Sequence, residues 1–143
     1  MKVTCRRSAM LPHFFINEQP KQAHLLLKAS FHIRMYTKGF GHDDTLLSAH
    51  KLTIALSALG QNREAKLLAK RTFRQRRRLY GFGHILTLRA GGALAGILYA
   101  TGERRKALAL QRKIYEKSRQ INGEVHEQTR IARHNLCDME RFV

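Results

Sequence analysis

The sequence is poor in residue types whose scarcity narrows the possible folds. Its 143 residues include two cysteines, two prolines, no tryptophan and only 10 Asp and Glu. Two cysteines are too few for the disulfide framework of a small secreted domain, and so few prolines favour long helices. Long apolar runs are also missing, because none approaches the roughly 18 residues of a membrane span. The sequence therefore predicts a helical domain that folds without covalent crosslinks and has no membrane span.

Basic residues greatly outnumber acidic ones. There are 27 Lys and Arg, which gives a net charge of +17 at pH 7, while 43% of the residues are hydrophobic. That hydrophobic content supports a core and excludes a disordered basic tail. A small folded body with this charge attracts polyanions. Candidate partners are RNA, DNA, an acidic protein surface or anionic lipid, and the alternative is that the charge only solubilises the helices.

The most informative feature is an internal repeat with a period of 42 residues. The tetrapeptide Gly39-Phe40-Gly41-His42 recurs at 81–84, and a third histidine follows at 126. The same step relates further columns: Thr45, Thr87 and Thr129; Leu52, Leu94 and Leu136; Ala23, Ala65 and Ala107; Phe31, Phe73 and Tyr115; Gly60 and Gly102. So many matches in one register indicate a repeat array.

Each unit of the repeat contains two helical patterns. We expect six helices, over about 18–37, 43–59, 62–80, 84–101, 103–121 and 127–142, and no strands. Asp43, Asp44 and Thr45 are expected to cap the second helix, and Asn62 the third. The predicted organisation is an N-terminal extension over 1–17 and one repeat domain over 18–143. The predicted fold class is all-α, an α-solenoid of antiparallel helix pairs.

The residues at the unit boundaries resemble the kinesin-light-chain type of tetratricopeptide repeat. The first unit matches its His-Pro-Asp-Thr-Leu opening and its Gly-x-x-x-Glu-Ala elbow at His42, Asp44, Thr45, Leu46, Gly60, Glu64 and Ala65. The later units keep His84, Thr87, Leu88, Gly102 and Ala107, then His126, Thr129 and Asn135. They depart from the pattern at Leu86 and Lys106. The resemblance covers about 20–143 and implies a right-handed solenoid whose concave groove, lined by the first helix of each unit, holds ligands.

Mapping by register onto that family places a set of residues in the concave groove. They are His50, Lys51, Ile54, Arg89, Gly92, Gly96, Tyr99, His134 and Asn135. Each mid-helix glycine costs roughly 0.8–1 kcal/mol relative to alanine, so bare backbone needs a reason. One interpretation is close packing of a neighbouring helix. The other is a flat floor at Gly92 and Gly96 for a peptide or for the chain's own N-terminal segment.

Basic residues concentrate on the second helix of each unit, which the resemblance places on the convex face. The predicted polyanion-binding set is Arg63, Lys66, Lys70, Arg71, Arg74, Arg76, Arg77, Arg78, Arg104, Arg105, Arg112, Lys113, Lys117 and Arg119. Like charges at i, i+4, such as Lys66 and Lys70, disfavour an isolated helix, and a polyanion would relieve them. Few aromatics lie among these residues, so any RNA would be bound by its phosphates rather than by its bases.

The sequence gives no sign of catalysis, a metal site or a cofactor. The repeated histidines should lie about 10 Å apart, the distance between packed helices. Zinc–nitrogen bonds are about 2.0–2.1 Å, so one ion cannot bridge two of them. No nucleophile has a base and an orienting acid in register with it. We therefore predict a chain that is not an enzyme.

Both ends of the chain suggest interactions. Residues 1–17 weakly resemble a mitochondrial targeting segment, and the alternative is an ordered extension on the first helix. The last helix should leave an apolar face uncovered, which would pack on a partner or a second copy; its residues are Ile131, Leu136, Met139, Phe142 and Val143. The few cysteines fit a reducing compartment, so the expected location is intracellular, in the cytoplasm or the mitochondrial matrix.

Three functions remain open on the sequence alone. The first is a non-enzymatic interaction scaffold, a small basic subunit of a larger protein complex. The second is an RNA-associated structural subunit, such as one of a mitochondrial ribosome, whose convex arginines contact structured RNA. The third is a regulator that binds one acidic partner protein.

Overall fold

The computed structural model describes residues 20–142, which form six α-helices and no strand. In chain order they are α1 (Pro20–Lys38), α2 (Asp43–Ala58), α3 (Asn62–Tyr80), α4 (Ile85–Ala100), α5 (Arg104–Asn122) and α6 (Glu127–Arg141). The predicted all-α class and its six helices are confirmed, and each end differs from the expected one by two residues or fewer. The extension over 1–17 and Val143 lie outside the described residues, so the predicted domain limits stay predictions.

Evenly spaced glycines separate the helices. Backbone φ is positive at every twenty-first residue, at Gly39, Gly60, Gly81, Gly102 and Gly123. At Gly81, for example, φ is 82°, a region that side chains with a Cβ rarely adopt. Each helix and its turn therefore occupy half of the 42-residue unit.

The repeated histidines begin the first helix of each unit. Nδ1 of His42 accepts a hydrogen bond from the backbone N–H of Asp44 at 3.2 Å, and His84 and His126 make the same bond two residues on. The prediction that Asp43, Asp44 and Thr45 cap α2 was therefore wrong. The Asp44 carboxylate instead accepts a hydrogen bond from Lys38, which lowers its pKa.

The start of α3 also differs from expectation. Its N-cap residue is Gln61, whose side chain makes no capping hydrogen bond, and Asn62 is already inside the helix. The prediction of Asn62 as the cap was therefore wrong. The equivalent N-cap position of α5 is Glu103, which likewise makes no side-chain capping bond.

The six helices lie in two rows. Each helix packs against the next along the chain, and α2 also contacts α4, as α4 contacts α6. The helices of the other row, α1, α3 and α5, do not contact one another. The array therefore curves, with α2, α4 and α6 on its inner, concave side and α1, α3 and α5 on its outer, convex side.

The repeat columns form the core between these rows. Ala65 and Ala107 have no exposed surface, which lets the two helices of a pair approach closely, as expected. The leucine column Leu52, Leu94 and Leu136 is 3–6% exposed and fills the space between helices. Both assignments from the sequence are confirmed.

Candidate concave groove and convex basic surface

The residues assigned to the groove lie on the inner row and face solvent. Lys51, Arg89 and Gly96 are exposed, and the remaining members are half-buried: His50, Ile54, Gly92, Tyr99, His134 and Asn135. All of them are on α2, α4 or α6, the helices that line the concave side. The structure thus places every predicted groove residue on one curved face, and their role in binding stays a prediction.

Electrostatics set the protonation of one groove histidine. Burial, followed by the positive charges of Arg76 and Arg89, lowers the pKa of His50 from 6.5 to about 4. His50 is therefore neutral near pH 7 and can both donate and accept a hydrogen bond. His134, two units away in the same column, has its Nε2 3.2 Å from a carboxylate oxygen of Asp138. The groove floor thus carries a histidine on either side of Gly92.

Three glycines of α4 have different surroundings. A Cβ at Gly91 would lie 2.9 Å from Cδ1 of Ile114 and 3.0 Å from the Phe73 ring, so close helix packing requires this glycine. A Cβ at Gly92 or at Gly96 would meet nothing within 4 Å. The helix-packing interpretation therefore holds for Gly91, whereas Gly92 and Gly96 leave a bare strip of backbone on the concave face.

Most of the basic residues predicted to bind polyanions are exposed on the convex side. Those without a carboxylate partner among the described residues are Arg63, Lys70, Arg74, Arg77, Arg78, Arg105, Lys113 and Lys117. They come from α3 and α5 alone. A mutually repelling set of this kind is available to an anionic partner.

Other members of the predicted set already have partners. Lys66 pairs with Glu103, Arg112 with Glu140 at 3.0 Å and Arg119 with Glu124 at 3.6 Å. Two further arginines cover aromatic rings. The Arg71 guanidinium lies 3.9 Å from the centre of Phe40, and Arg104 lies 5.2 Å from that of Tyr99 while donating to the Phe142 carbonyl. These five side chains are less available to a ligand than the unpaired ones.

Arg76 does not belong to the convex surface, and its assignment to the polyanion-binding set was wrong. It is only 2% exposed, and its Nη1 donates to the carbonyl oxygen of Leu86 at 3.1 Å. Burial lowers its pKa, and the nearby charge of Asp43 partly opposes that shift. The residue joins α3 to α4 rather than facing solvent.

The predicted apolar face of the last helix is mostly covered. Leu136 and Met139 are 3% and 8% exposed, and Ile131 is half-buried. Of the residues named for that face, only Phe142, at 67%, is largely exposed within the described chain. The expectation of an uncovered face was therefore wrong, because α6 turns its apolar side chains toward the rest of the array.

Sequence reasoning missed a cleft on the convex side, between α3 and α5. Two adjacent cavities of 320 and 270 Å³ lie there, and both are lined by Phe73 and Arg77. The signal was present in the repeated Phe31 and Phe73 column and in the repeated Gly-Phe-Gly-His segment. Nothing in the spacing showed that an opening would remain between them.

Within 20–142, no cluster of three or more His, Cys, Asp or Glu side chains is arranged to hold a metal ion. None of the described helices is both long and apolar enough to cross a membrane.

Comparisons with known proteins place these features in a family. The tetratricopeptide repeat family matches residues 45–86 and 87–128, two consecutive 42-residue units. Because these matches cover more than half of the chain, it belongs to the tetratricopeptide repeat family. No curated protein sequence matches the chain significantly.

Solved structures share the fold. The crystal structure of nearly identical TPR-like repeats, assigned to a kinesin light chain of Podosopora anserina, superposes with a TM-score of 0.81 at 24% identity. The alignment covers 86% of this chain and 58% of that one. A glutamine-to-methionine variant of those repeats gives 0.80 at 24% identity, over 85% and 57% of the two chains. This chain therefore spans less than two thirds of these structures, and the kinesin-light-chain resemblance of its fold is confirmed.

Proposed function

We propose that this chain is a non-enzymatic interaction scaffold whose concave groove binds an extended segment of a partner protein within a larger assembly. Membership of the tetratricopeptide repeat family supports a protein-interaction role. The observation that carries the proposal is the bare backbone at Gly92 and Gly96, where an added Cβ would meet nothing within 4 Å.

The chemistry of the groove suits a peptide main chain. Bare backbone lets another chain approach closely, and no helix of the described array occupies that space. Neutral His50 and the amide of Asn135 can donate to and accept from peptide groups. Exposed Lys51 and Arg89 add positive charge along the same face. The bound segment should therefore be extended and carry acidic or polar side chains.

Substitution at Gly92 tests this proposal without damaging the fold. Gly92→Leu places a large side chain on the floor, and alanine-like helix propensity should keep the chain at least as stable. We expect it to lose the proteins that co-purify with the wild type, while Gly92→Ala keeps most of them. Thermal unfolding of each variant is the control. Retention of every partner by a stable Gly92→Leu variant would contradict the proposal.

A second candidate is an RNA-associated structural subunit, as in a mitochondrial ribosome, with phosphates on the convex side. The observation that favours it is the row of exposed, unpaired cations on α3 and α5. The combined substitutions Arg74→Glu, Arg77→Glu and Arg78→Glu should abolish RNA association and leave a groove-bound peptide unaffected. Partners that disappear after RNase treatment would favour this candidate over the scaffold.

A further inference from the structure

The cleft between α3 and α5 has an apolar floor. The two outer helices do not contact each other, so the inner helix α4 forms its base through Leu94. The larger cavity, of 320 Å³, is lined on its apolar side by Phe73, Phe82 and Leu110. Phe73 and Phe82 meet edge to face, with ring centres 6.3 Å apart. A cavity of this size is large enough for one bulky side chain.

The rim of the cleft is positively charged. Lys70, Arg74 and Arg77 line it from α3, and Lys113 and Lys117 line it from α5. The lining contains a single acid, Glu116. None of the five cations forms an ion pair within the part of the chain that the structure describes. Their charge is therefore uncompensated where the apolar floor opens.

The preceding unit provides an internal comparison. There, Phe31 and Phe40 occupy the positions of Phe73 and Phe82, and the Arg71 guanidinium lies over the Phe40 ring at 3.9 Å. The residue equivalent to Arg71 is Lys113, which lines the open cavity. Phe31 is 8% exposed, whereas its counterpart is half-buried. The same aromatic pair is thus covered in one unit and accessible in the next.

We propose that this cleft binds an acidic segment of a partner protein that carries one aromatic or large aliphatic side chain. The apolar side chain inserts between Phe73, Phe82 and Leu110, where desolvation stabilises the complex. Carboxylates on either side pair with Arg74 of α3 and Lys113 of α5. The site is on the opposite side of the array from the concave groove and does not depend on it.

Charge and apolarity together select this occupant. A second copy of the chain carries +17, and residues 1–19 contain Lys2, Arg6 and Arg7 against one acid, Glu18, so both are repelled by the rim. RNA phosphates would satisfy the rim but leave the phenylalanine floor in contact with water. An acidic segment with an apolar anchor satisfies both.

The absence of tryptophan from the chain allows a direct test. The probe is a 12-residue peptide of Asp and Glu with a single central tryptophan, titrated with the full-length protein. Insertion predicts a blue shift of the peptide's emission, because the indole leaves water. A control peptide with serine in place of tryptophan should bind at least about tenfold more weakly by anisotropy. Binding without a blue shift, or equal binding of both peptides, would overturn the proposal.

Variants of the protein locate the site. Lys113→Arg keeps the charge and should cover Phe82 as Arg71 covers Phe40, weakening the tryptophan peptide about fivefold or more. Arg74→Glu with Lys117→Glu should abolish binding. The matched control, Arg63→Glu with Arg105→Glu, makes the same charge change outside the cavities and should have a much smaller effect.

Two further measurements separate the alternatives. Gly92→Leu, which changes only the concave groove, should leave peptide binding intact, so failure of the scaffold proposal does not affect this one. A 12-nucleotide uridine RNA should bind more weakly than the tryptophan peptide and be insensitive to Lys113→Arg. An RNA that binds more tightly than the peptide, and loses affinity with Arg74→Glu and Lys117→Glu, would overturn the proposal in favour of phosphate binding.

Discussion

The guanidinium of Arg76 reaches from α3 to α4, where its Nη1 donates to the carbonyl oxygen of Leu86 at 3.1 Å. Arg34 occupies the same position one unit earlier and donates to the Asp44 carbonyl at 3.5 Å and to the Ser48 hydroxyl. Both arginines thus tie the second helix of one pair to the first turn of the next. In the last unit the position is Ser118, which is fully buried.

Truncation of Arg76 should destabilise the array. Arg76→Ala leaves a cavity between α3 and α4, and we expect a loss of about 2–4 kcal/mol in the free energy of unfolding. Arg76→Met fills most of that volume without a buried charge, so its loss should stay below about 1.5 kcal/mol. Urea unfolding of both variants measures the difference. Equal destabilisation by the two would show that the hydrogen bond, rather than the volume, matters.

Protonation of His50 should make stability depend on pH. Its folded pKa of about 4 lies below the unfolded value of 6.5, so the unfolded chain binds the proton first as pH falls. The contribution is complete above pH 6.5 and is lost between pH 6.5 and 4, by up to about 3 kcal/mol. Unfolding measured across this range, in wild type and His50→Gln, isolates the effect. An NMR titration midpoint of His50 near 6.5 would contradict it.

The histidine caps should be replaceable by asparagine. His84 accepts a hydrogen bond from the Leu86 backbone N–H and stacks against Tyr80, with ring centres 4.7 Å apart. His84→Ala loses both interactions, and we expect it to lower stability by about 1 kcal/mol. His84→Asn keeps an acceptor at the cap and should recover roughly half of that loss. Thermal unfolding of the two variants checks the order, and a reversed order would exclude the capping role.

Adjacent glycines of α4 should respond in opposite directions to alanine. Gly91→Ala brings a methyl group to 2.9 Å from Ile114, and we expect a loss of about 1–3 kcal/mol. Gly92→Ala adds its methyl group in open space and should gain about 0.8–1 kcal/mol from helix propensity. Parallel denaturant titrations give both values. A destabilising Gly92→Ala would mean that something in the described chain already fills the groove floor.

The repeat made most of the fold predictable. A 42-residue period, with glycine between helices and small or leucine columns in register, leaves few arrangements other than stacked helix pairs. Register then placed the groove residues correctly on α2, α4 and α6. The buried arginine was also within reach, because Ala65, Ala69, Thr72 and Arg76 form one helical stripe of buried residues on α3. A run of arginines concealed it, since position in the run says nothing about which one faces inward.

The features that sequence reasoning missed depend on side-chain contacts across the array. Histidine is not among the residues that commonly cap helices, so the capping rules favoured Asp43 and Thr45 over His42. Whether an aromatic pair is covered depends on how one residue, Arg71 or Lys113, lies against its neighbours. No periodicity encodes that choice.

The most direct test of the scaffold account is site-specific photo-crosslinking. A photoreactive amino acid replaces Lys51, in the groove, or Arg105, on the convex side, and cross-linked proteins are identified after RNase treatment. The account predicts one discrete protein adduct from position 51 that persists after RNase and disappears when Gly92→Leu is added. No adduct at 51, or one that RNase removes, would contradict the central claim that the concave groove binds a protein segment.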